Sequence, residues 1–347
     1  MTNRFSAVQR WSALAVLSIV LSFIAYGATA APFPAPPIPT SADSAKIDAA
    51  LYGAVLDRVS AGEDYYAAAA SEQRTRGYPL HPFVTVRPPY FTWMIVGIGG
   101  RNAAATTLGI LVTGSAVLMA FRLFMTMKGR ALKLAAPIAA LSFLTVRDVP
   151  IFWFEVWVSA LVLLSLACWS RKTWVLSAVC GLAAALLREL CAPYLLVMLF
   201  VAIIEKRRAE IVGWSAALIL FAASLTVHAA RVHAVTTVGD KQSPGWLRGG
   251  GWPYVVRVVH ESSALILLPL WVVNILVPLA VLGWVSWKHP IADRASLYLI
   301  GFITAFMVIG RQNNAYWGML LTSLLLIGLA FAPGAIATLV QRARTRS

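Results

Sequence analysis

The chain has 347 residues, 59% of them hydrophobic and only 12% charged, with a mean hydropathy of +0.75. A soluble domain averages about 25% charged residues. Here the apolar surplus falls in runs of roughly twenty, the span of a bilayer core, which excludes an ordinary soluble globule. A net charge of +15 would point to nucleic acid in a soluble protein. In a membrane protein, Lys and Arg concentrated in one set of loops account for it, so no nucleic-acid partner is expected.

Residues 1–11 are short, polar and basic, with Arg4 and Arg10. Trp11 to about Ala31 is apolar and reads as an uncleaved first span, although Ala28 to Pro32 resembles a small-residue cleavage site. A Pro-rich exit follows over 32–42. Ile47, Leu51, Ala54/Val55 and Val59 then recur at three- and four-residue steps, the pattern of an amphipathic helix lying on a membrane surface. Gly62 ends it, and a second short helix is expected from about Glu63 to Thr75. Tyr78-Pro79, His81-Pro82 and Arg87-Pro88-Pro89 punctuate the next stretch. Tyr90 to Ile98 is apolar but only half a span long, and Gly99-Gly100 closes it. It reads as a dipping segment.

Further spans are expected at 103–125, 131–147, 151–169, 173–188, 190–204, 211–228, 264–287, 296–310 and 315–333. With the first, the fold class is an all-α polytopic membrane protein of about ten transmembrane helices. It forms one domain over 1–333, with a first outer loop at 32–102, a second at 229–263 and a basic tail at 334–347. Placing both ends in the cytoplasm puts sixteen basic residues against three acidic ones on the inner side, as short cytoplasmic loops require. Counting Tyr90–Ile98 as a crossing would invert every later loop and put the most basic ones outside. No internal repeat is visible, which counts against the inverted-repeat transporter plans. Cys168, Cys180 and Cys191 lack metal-ligand spacing and read as packing residues.

Six of the fourteen acidic residues lie between Asp43 and Tyr90. Asp57, Glu63, Asp64 and Glu72 suit the solvated faces of surface helices. At the outer ends of the spans the sequence collects Arg147-Asp148, Glu155, Arg188-Glu189 and Arg311 with Gln312, Asn313, Asn314 and Tyr316. Ionisable groups at membrane depth are expensive and face a cavity or one another. Glu155, one turn inside its span, needs a partner, and Arg147 and Arg188 are the candidates. Arginines at Arg87, Arg147, Arg188 and Arg311 are suited to phosphate, which guanidinium meets with paired hydrogen bonds. A neighbouring carboxylate is suited to deprotonate a hydroxyl. A polar cavity at the outer interface, open to the bilayer, suits a substrate with a lipid tail.

In this layout the chain resembles the GT-C class of integral-membrane glycosyltransferases. The likeness rests on one span followed by a large outer loop with surface helices. It rests also on the order Asp48, Tyr52, Gly62, Tyr65-Tyr66 and Arg87-Pro88-Pro89, similar to the acid, Tyr, Gly, paired Tyr and basic-Pro-Pro of that family's first loop. The resemblance implies a polyprenyl-phosphate sugar donor and inverting transfer by single displacement. It also implies a first-loop acid acting as the base or as ligand of a divalent cation, Mg or Mn. Carried over, that acid is Asp48, with Asp43 the runner-up. Many members show an acidic pair directly after the first span, whereas here a Pro-rich stretch intervenes and the two acids lie five residues apart.

The expected protein is thus a glycosyltransferase of a bacterial inner membrane, working on the outer face with membrane lipids around it and a cell-envelope glycan or lipid as acceptor. Arg87, Arg188 and Arg311 would hold the donor phosphate, Glu155, Glu189 and Arg147 would shape the cavity, and Tyr65 and Tyr66 would line the acceptor side. With no appended soluble domain, the acceptor site is the loop itself or an envelope-biosynthesis partner protein. The alternatives are a transporter or flippase for a lipid-linked headgroup, which predicts polar residues through the full membrane depth, and a non-catalytic envelope scaffold, which predicts that the outer acids and arginines stay scattered.

Overall fold

The computed structural model describes residues 3–34, 48–146 and 151–345, and among them every regular element is helical. Fifteen α-helices follow in chain order. They are α1 (Arg10–Thr29), α2 (Asp48–Ser60), α3 (Tyr65–Thr75), α4 (Tyr90–Gly97), α5 (Arg101–Thr126), α6 (Arg130–Leu141), α7 (Phe154–Cys168), α8 (Trp174–Leu187), α9 (Ala192–Ile204), α10 (Arg208–Val235), α11 (Gly251–Glu261), α12 (Leu270–Ser286), α13 (Pro290–Val308), α14 (Met319–Leu329) and α15 (Ala332–Arg344).

Four of them, α1, α5, α10 and α13, are long and apolar enough to cross a membrane. A fifth arises if 312–329 and α15, bent by 57°, are taken as one span. The expectation of ten spans is therefore met by four or five on length and composition. The other expected spans coincide with shorter helices, from 11 residues in α14 to 17 in α12. At 1.5 Å per residue, a 15-residue helix covers only about 22 Å of a hydrocarbon core near 30 Å.

The surface helices of the first loop form as their periodicity predicts. Leu51, Val55 and Leu56 of α2 face inward, Gly62 turns the chain at φ +95°, and the Asp64 side chain accepts from the Tyr66 and Ala67 amides to start α3, an N-cap. The half-span is α4, eight residues long, followed by Gly99 and Gly100 at φ +102° and +93°.

Two regions differ from expectation. The loop at 229–263 contains α11, whose Trp252, Tyr254, Val255, Val258 and Val259 are buried in the main core. The tail at 334–347 is mostly α15, which packs Ala335 and Leu339 against Phe5, Ala13 and Leu282. Both carry apolar residues at helical spacing, and that spacing decides against an open loop or tail.

Helices α12 and α14 meet backbone to backbone. A Cβ on Gly283 would fall 1.9 Å from the Gly328 carbonyl oxygen, and one on Gly328 would fall 2.0 Å from the Ala280 carbonyl oxygen. Small residues let apolar helices approach in this way. Gly328→Ala is expected to lower the unfolding free energy by about 1–3 kcal/mol, because backbone cannot rotate aside. The measurement is the thermal midpoint of the purified protein in detergent; an unchanged midpoint would mean that the two helices separate freely.

The helix bundle has two polar ends. At one, Arg294 near the start of α13 is fully buried, and its guanidinium donates to both Glu205 oxygens at 3.0 Å. Trp169 stacks on it at 3.7 Å and donates its indole N–H to Glu210, which Arg207 also meets. Two arginines and two glutamates make this set neutral, and the ring of donors compensates the loss of water around buried charge. The other end lies beyond the last turns of α10. Glu210 and His228 of α10 are separated by roughly 27 Å along the helix axis at 1.5 Å per residue.

That second end carries the first loop and the segment after α10, which are stitched together. Leu80 N–H donates to the Lys241 carbonyl at 3.0 Å, and Ser243 N–H to the His81 carbonyl at 2.7 Å. Arg74 donates from Nε and Nη2 to the two Asp240 oxygens at 2.7 Å. Arg74 thereby holds the Asp240 carboxyl well below the usual carboxylate range. A depressed folded-state value stabilises fully above the ordinary aspartate value of about 4 and loses that contribution as pH falls towards the depressed one. Acid is therefore expected to free residues 237–243 ahead of the bundle, seen as faster proteolysis there below about pH 4 than at pH 7.

Candidate functional site

Three separate segments bring their charged groups together at this end. Glu155 stands in the first turn of α7 and is buried, 2% exposed. A carboxylate there is favoured by the helix dipole. Arg188 follows α8 in an extended conformation, which turns its side chain back into the bundle, 1% exposed. Glu189 opens the short turn before α9. Arg87 precedes Pro88-Pro89, and a residue before proline is held extended.

Arg188 Nε donates to Glu155 Oε1 at 2.8 Å. Its Nη1 donates to Glu189 Oε1, which also accepts from Arg87 Nη1 at 3.4 Å. Arg87 Nε donates to the Tyr52 hydroxyl at 3.2 Å. The chain Glu155–Arg188–Glu189–Arg87 alternates in sign and is neutral. Burial alone would lower Arg87, but Tyr52 and Glu189 outweigh it and hold the guanidinium well above its usual value, so it stays charged. Glu189 Oε2 is buried without a hydrogen-bond partner among the described residues. Of the two partners expected for Glu155, Arg188 is in contact, and Arg147 lies outside the described residues.

Asp48 lies at the rim. It begins α2, is exposed, and sits close enough to Tyr52, Tyr78 and Tyr316 to act on their hydroxyls. Tyr52 ties this rim to the buried charges, since its ring packs edge-on against Phe154 at 4.9 Å and its hydroxyl accepts from Arg87. Asp48 and the charge chain thus share Tyr52. Burial pushes the Tyr52 hydroxyl up, which keeps it protonated as a hydrogen-bond donor.

The paired tyrosines have supporting positions. Tyr65 and Tyr66 are 5% and 7% exposed, so neither lines an open acceptor surface. Tyr65 donates its hydroxyl to the Arg87 carbonyl at 2.7 Å and so fixes the turn that presents Arg87. Tyr66 meets His228 Nδ1 at 3.2 Å, and His228 Nε2 meets the Val86 carbonyl at 3.0 Å. Arg311 makes no ion pair with the charge chain among the described residues; it lies over the Trp246 ring at 4.9 Å. Asp43 and Arg147 lie outside the described residues.

From the sequence, Tyr78 has no role at the site and Tyr316 is only one of the polar residues collected at the outer ends of the spans. Both come to Asp48 through contacts distant in the chain, and no local spacing signals them. For a metal, no group of three or more His, Cys, Asp and Glu among the described residues is placed to hold an ion. Among the described residues, Tyr52, Tyr78 and Tyr316 are the side chains on which Asp48 acts.

No protein-family model matches the chain, and neither a curated protein nor a solved structure matches it.

Proposed function

We propose that the protein is an integral-membrane glycosyltransferase of the GT-C kind, taking a sugar from a polyprenyl-phosphate donor to an acceptor at the outer face of a bacterial inner membrane. One observation carries this reading. Asp48, Arg87, Glu155, Arg188 and Glu189, scattered over 142 positions of a mostly apolar chain, gather at one end of the bundle beneath a tethered loop. A scaffold has no need to assemble a buried, alternating charge chain beside an exposed carboxylate. A transporter would carry such groups through the membrane depth, whereas the two charged clusters here sit at opposite ends.

In this reading the ten helices α1, α5 to α10 and α12 to α14 are membrane-embedded, with the basic loops around Arg171, Arg207 and Lys288 on the cytoplasmic side. Asp48 accepts the proton of the acceptor hydroxyl. The freed oxygen attacks the anomeric carbon, its new bond forms as the bond from that carbon to the phosphate oxygen breaks, and the polyprenyl phosphate leaves with the electron pair. Tyr52 and Tyr78 orient the Asp48 carboxylate. Arg87 and Arg188, held in place by Glu189 and Glu155, supply a fixed positive potential towards the leaving phosphate without reorganising.

The test is donor consumption. The protein is reconstituted in liposomes with a panel of polyprenyl-phosphate sugars, and release of polyprenyl phosphate is followed with and without envelope extracts as acceptor. Consumption of one donor above empty liposomes supports the reading. No consumption of any donor, together with movement of an intact lipid-linked sugar across the bilayer, would replace it with the flippase.

A further inference from the structure

Backbone pairing brings two distant segments side by side. Gly310 N–H donates to the Trp246 carbonyl at 2.9 Å, while the Arg248 and Gly249 amides reach the Val308 carbonyl at 3.2 and 3.0 Å. The approach needs Gly310, at φ +135°, since a Cβ there would fall 2.4 Å from the Tyr254 ring. Its result is that Arg248 and Arg311 flank one cleft of about 620 Å³, lined also by Phe33, Pro34, Pro244, Gln312 and Asn313.

These two arginines differ from those of the charge chain. Among the described residues no carboxylate stands within ion-pair distance of either, whereas Arg87, Arg188, Arg257 and Arg294 each have one. The Arg311 Nε is buried without a hydrogen-bond partner among the described residues. Burial, reinforced by the like charges of Arg248 and Arg87, holds the Arg311 guanidinium below its usual value. Two cations turned towards one cleft with no anion between them repel each other, and that repulsion is removed by a ligand carrying negative charge.

We propose that this cleft is a phosphate-monoester site, with Arg248 and Arg311 as its two cationic contacts and the Gln312 and Asn313 amides as further donors. Guanidinium pairs meet phosphate oxygens with parallel hydrogen bonds, and a dianion matches two charges where a carboxylate matches one. The other wall is Phe33, Pro34 and Pro244, which offers no polar group from its side chains and suits an apolar chain beside the phosphate. Phe33 and Pro34 follow directly on α1, whose Ile19, Leu21 and Tyr26 are exposed, so that wall continues into a face made for lipid. Tyr316 lies near both Arg311 and the Arg87–Arg188 pair, which sets the cleft beside the charge chain. The inference rests on the transferase reading in assigning the phosphate to the polyprenyl phosphate that transfer releases. Binding is measured without turnover, so the two fail separately.

The test is native mass spectrometry of the purified full chain with dioleoylphosphatidic acid, with dioleoylphosphatidylcholine as the tail-matched control and inorganic phosphate as competitor. The variants are Arg248→Gln and Arg311→Gln, with Arg130→Gln as a basic residue away from the cleft. Phosphatidic acid is expected to be retained in preference to phosphatidylcholine. That retention should fall about tenfold in each cleft variant, the worth of one charge-assisted hydrogen bond, and stay unchanged in Arg130→Gln. Arg248 is exposed, so its variant decides the matter even if Arg311→Gln fails to fold. Displacement of the lipid by millimolar inorganic phosphate would identify free phosphate as a ligand, and retention against it would identify the lipid. Equal retention of both lipids, or equal loss in all three variants, overturns the site.

Discussion

Asp48→Asn is expected to reduce sugar transfer about a thousandfold, within the range for a positioned general base, while leaving yield, elution and thermal midpoint unchanged. The asymmetry follows from where the residue sits. Asp48 is exposed and at the first position of α2, so an amide of the same shape leaves no buried group unpaired. Asn is also a good residue at a helix start. The amide still fills the space beside Tyr52 and Tyr78 but accepts no proton. Single-turnover transfer at saturating donor separates the chemical step from binding. If the variant keeps its rate, Asp48 is not the base, and Asp43 and Glu189 become the residues to test.

Arg188→Ala is expected to lower the unfolding free energy by about 3–5 kcal/mol, the range for a buried pair that loses one member. The alanine leaves Glu155, 2% exposed, as a lone charge with no water. The double change Glu155→Leu with Arg188→Met removes both charges together. It leaves Arg87 and Glu189 as a neutral pair, and most of the lost stability is expected to return, as replacing buried pairs by apolar groups often does. Transfer is expected to stay below about a hundredth of wild type in the double variant, because Arg188's share of the potential towards the leaving phosphate is gone. Denaturant titration in detergent reads the first quantity and donor consumption the second. A stable double variant with full activity would make the pair a packing device alone.

How far the sequence discloses this molecule depends on the range of the interaction. Helices α1, α5, α10 and α13 are legible because an uninterrupted apolar run is a local property. So are α2 and α3, where Leu51, Val55 and Val59 recur at helical spacing and Gly62 marks the break. The half-span α4 is legible from its length and its Gly-Gly stop. Helix α11 is missed although Trp252, Val255 and Val259 have helical spacing, because Gly250 and Gly251 at its start and Pro253 within its first turn resemble a loop. The contents of the site are partly legible, since Glu155 inside a span demands a cation and Arg188 was one of two on offer. The pairing of Arg87 with Glu189 and of Arg248 with Arg311 is not. Those juxtapositions join residues 102 and 63 positions apart, and one sequence holds no record of such distances. The same holds for Tyr65 and Tyr66. Their pattern marks them as special, yet only the fold shows that they brace Arg87 and His228 from behind.

Helix α1 meets its main partners late in synthesis. Its packing is against α11, α12 and α15, with the Asn274 side chain donating to the Ile24 carbonyl at 2.8 Å and Asn3 donating to the Gly334 carbonyl and Thr338 hydroxyl at 3.1 and 2.9 Å. Residues 30–250 leave the ribosome before the first of these partners does. At about 5–20 residues per second that is a wait of roughly ten to forty-five seconds, with the Gly27 notch that receives Asn274 still vacant. During biogenesis α1 therefore waits without its main partners, available to chaperones and proteases, until the last helices arrive and pack along one side of it.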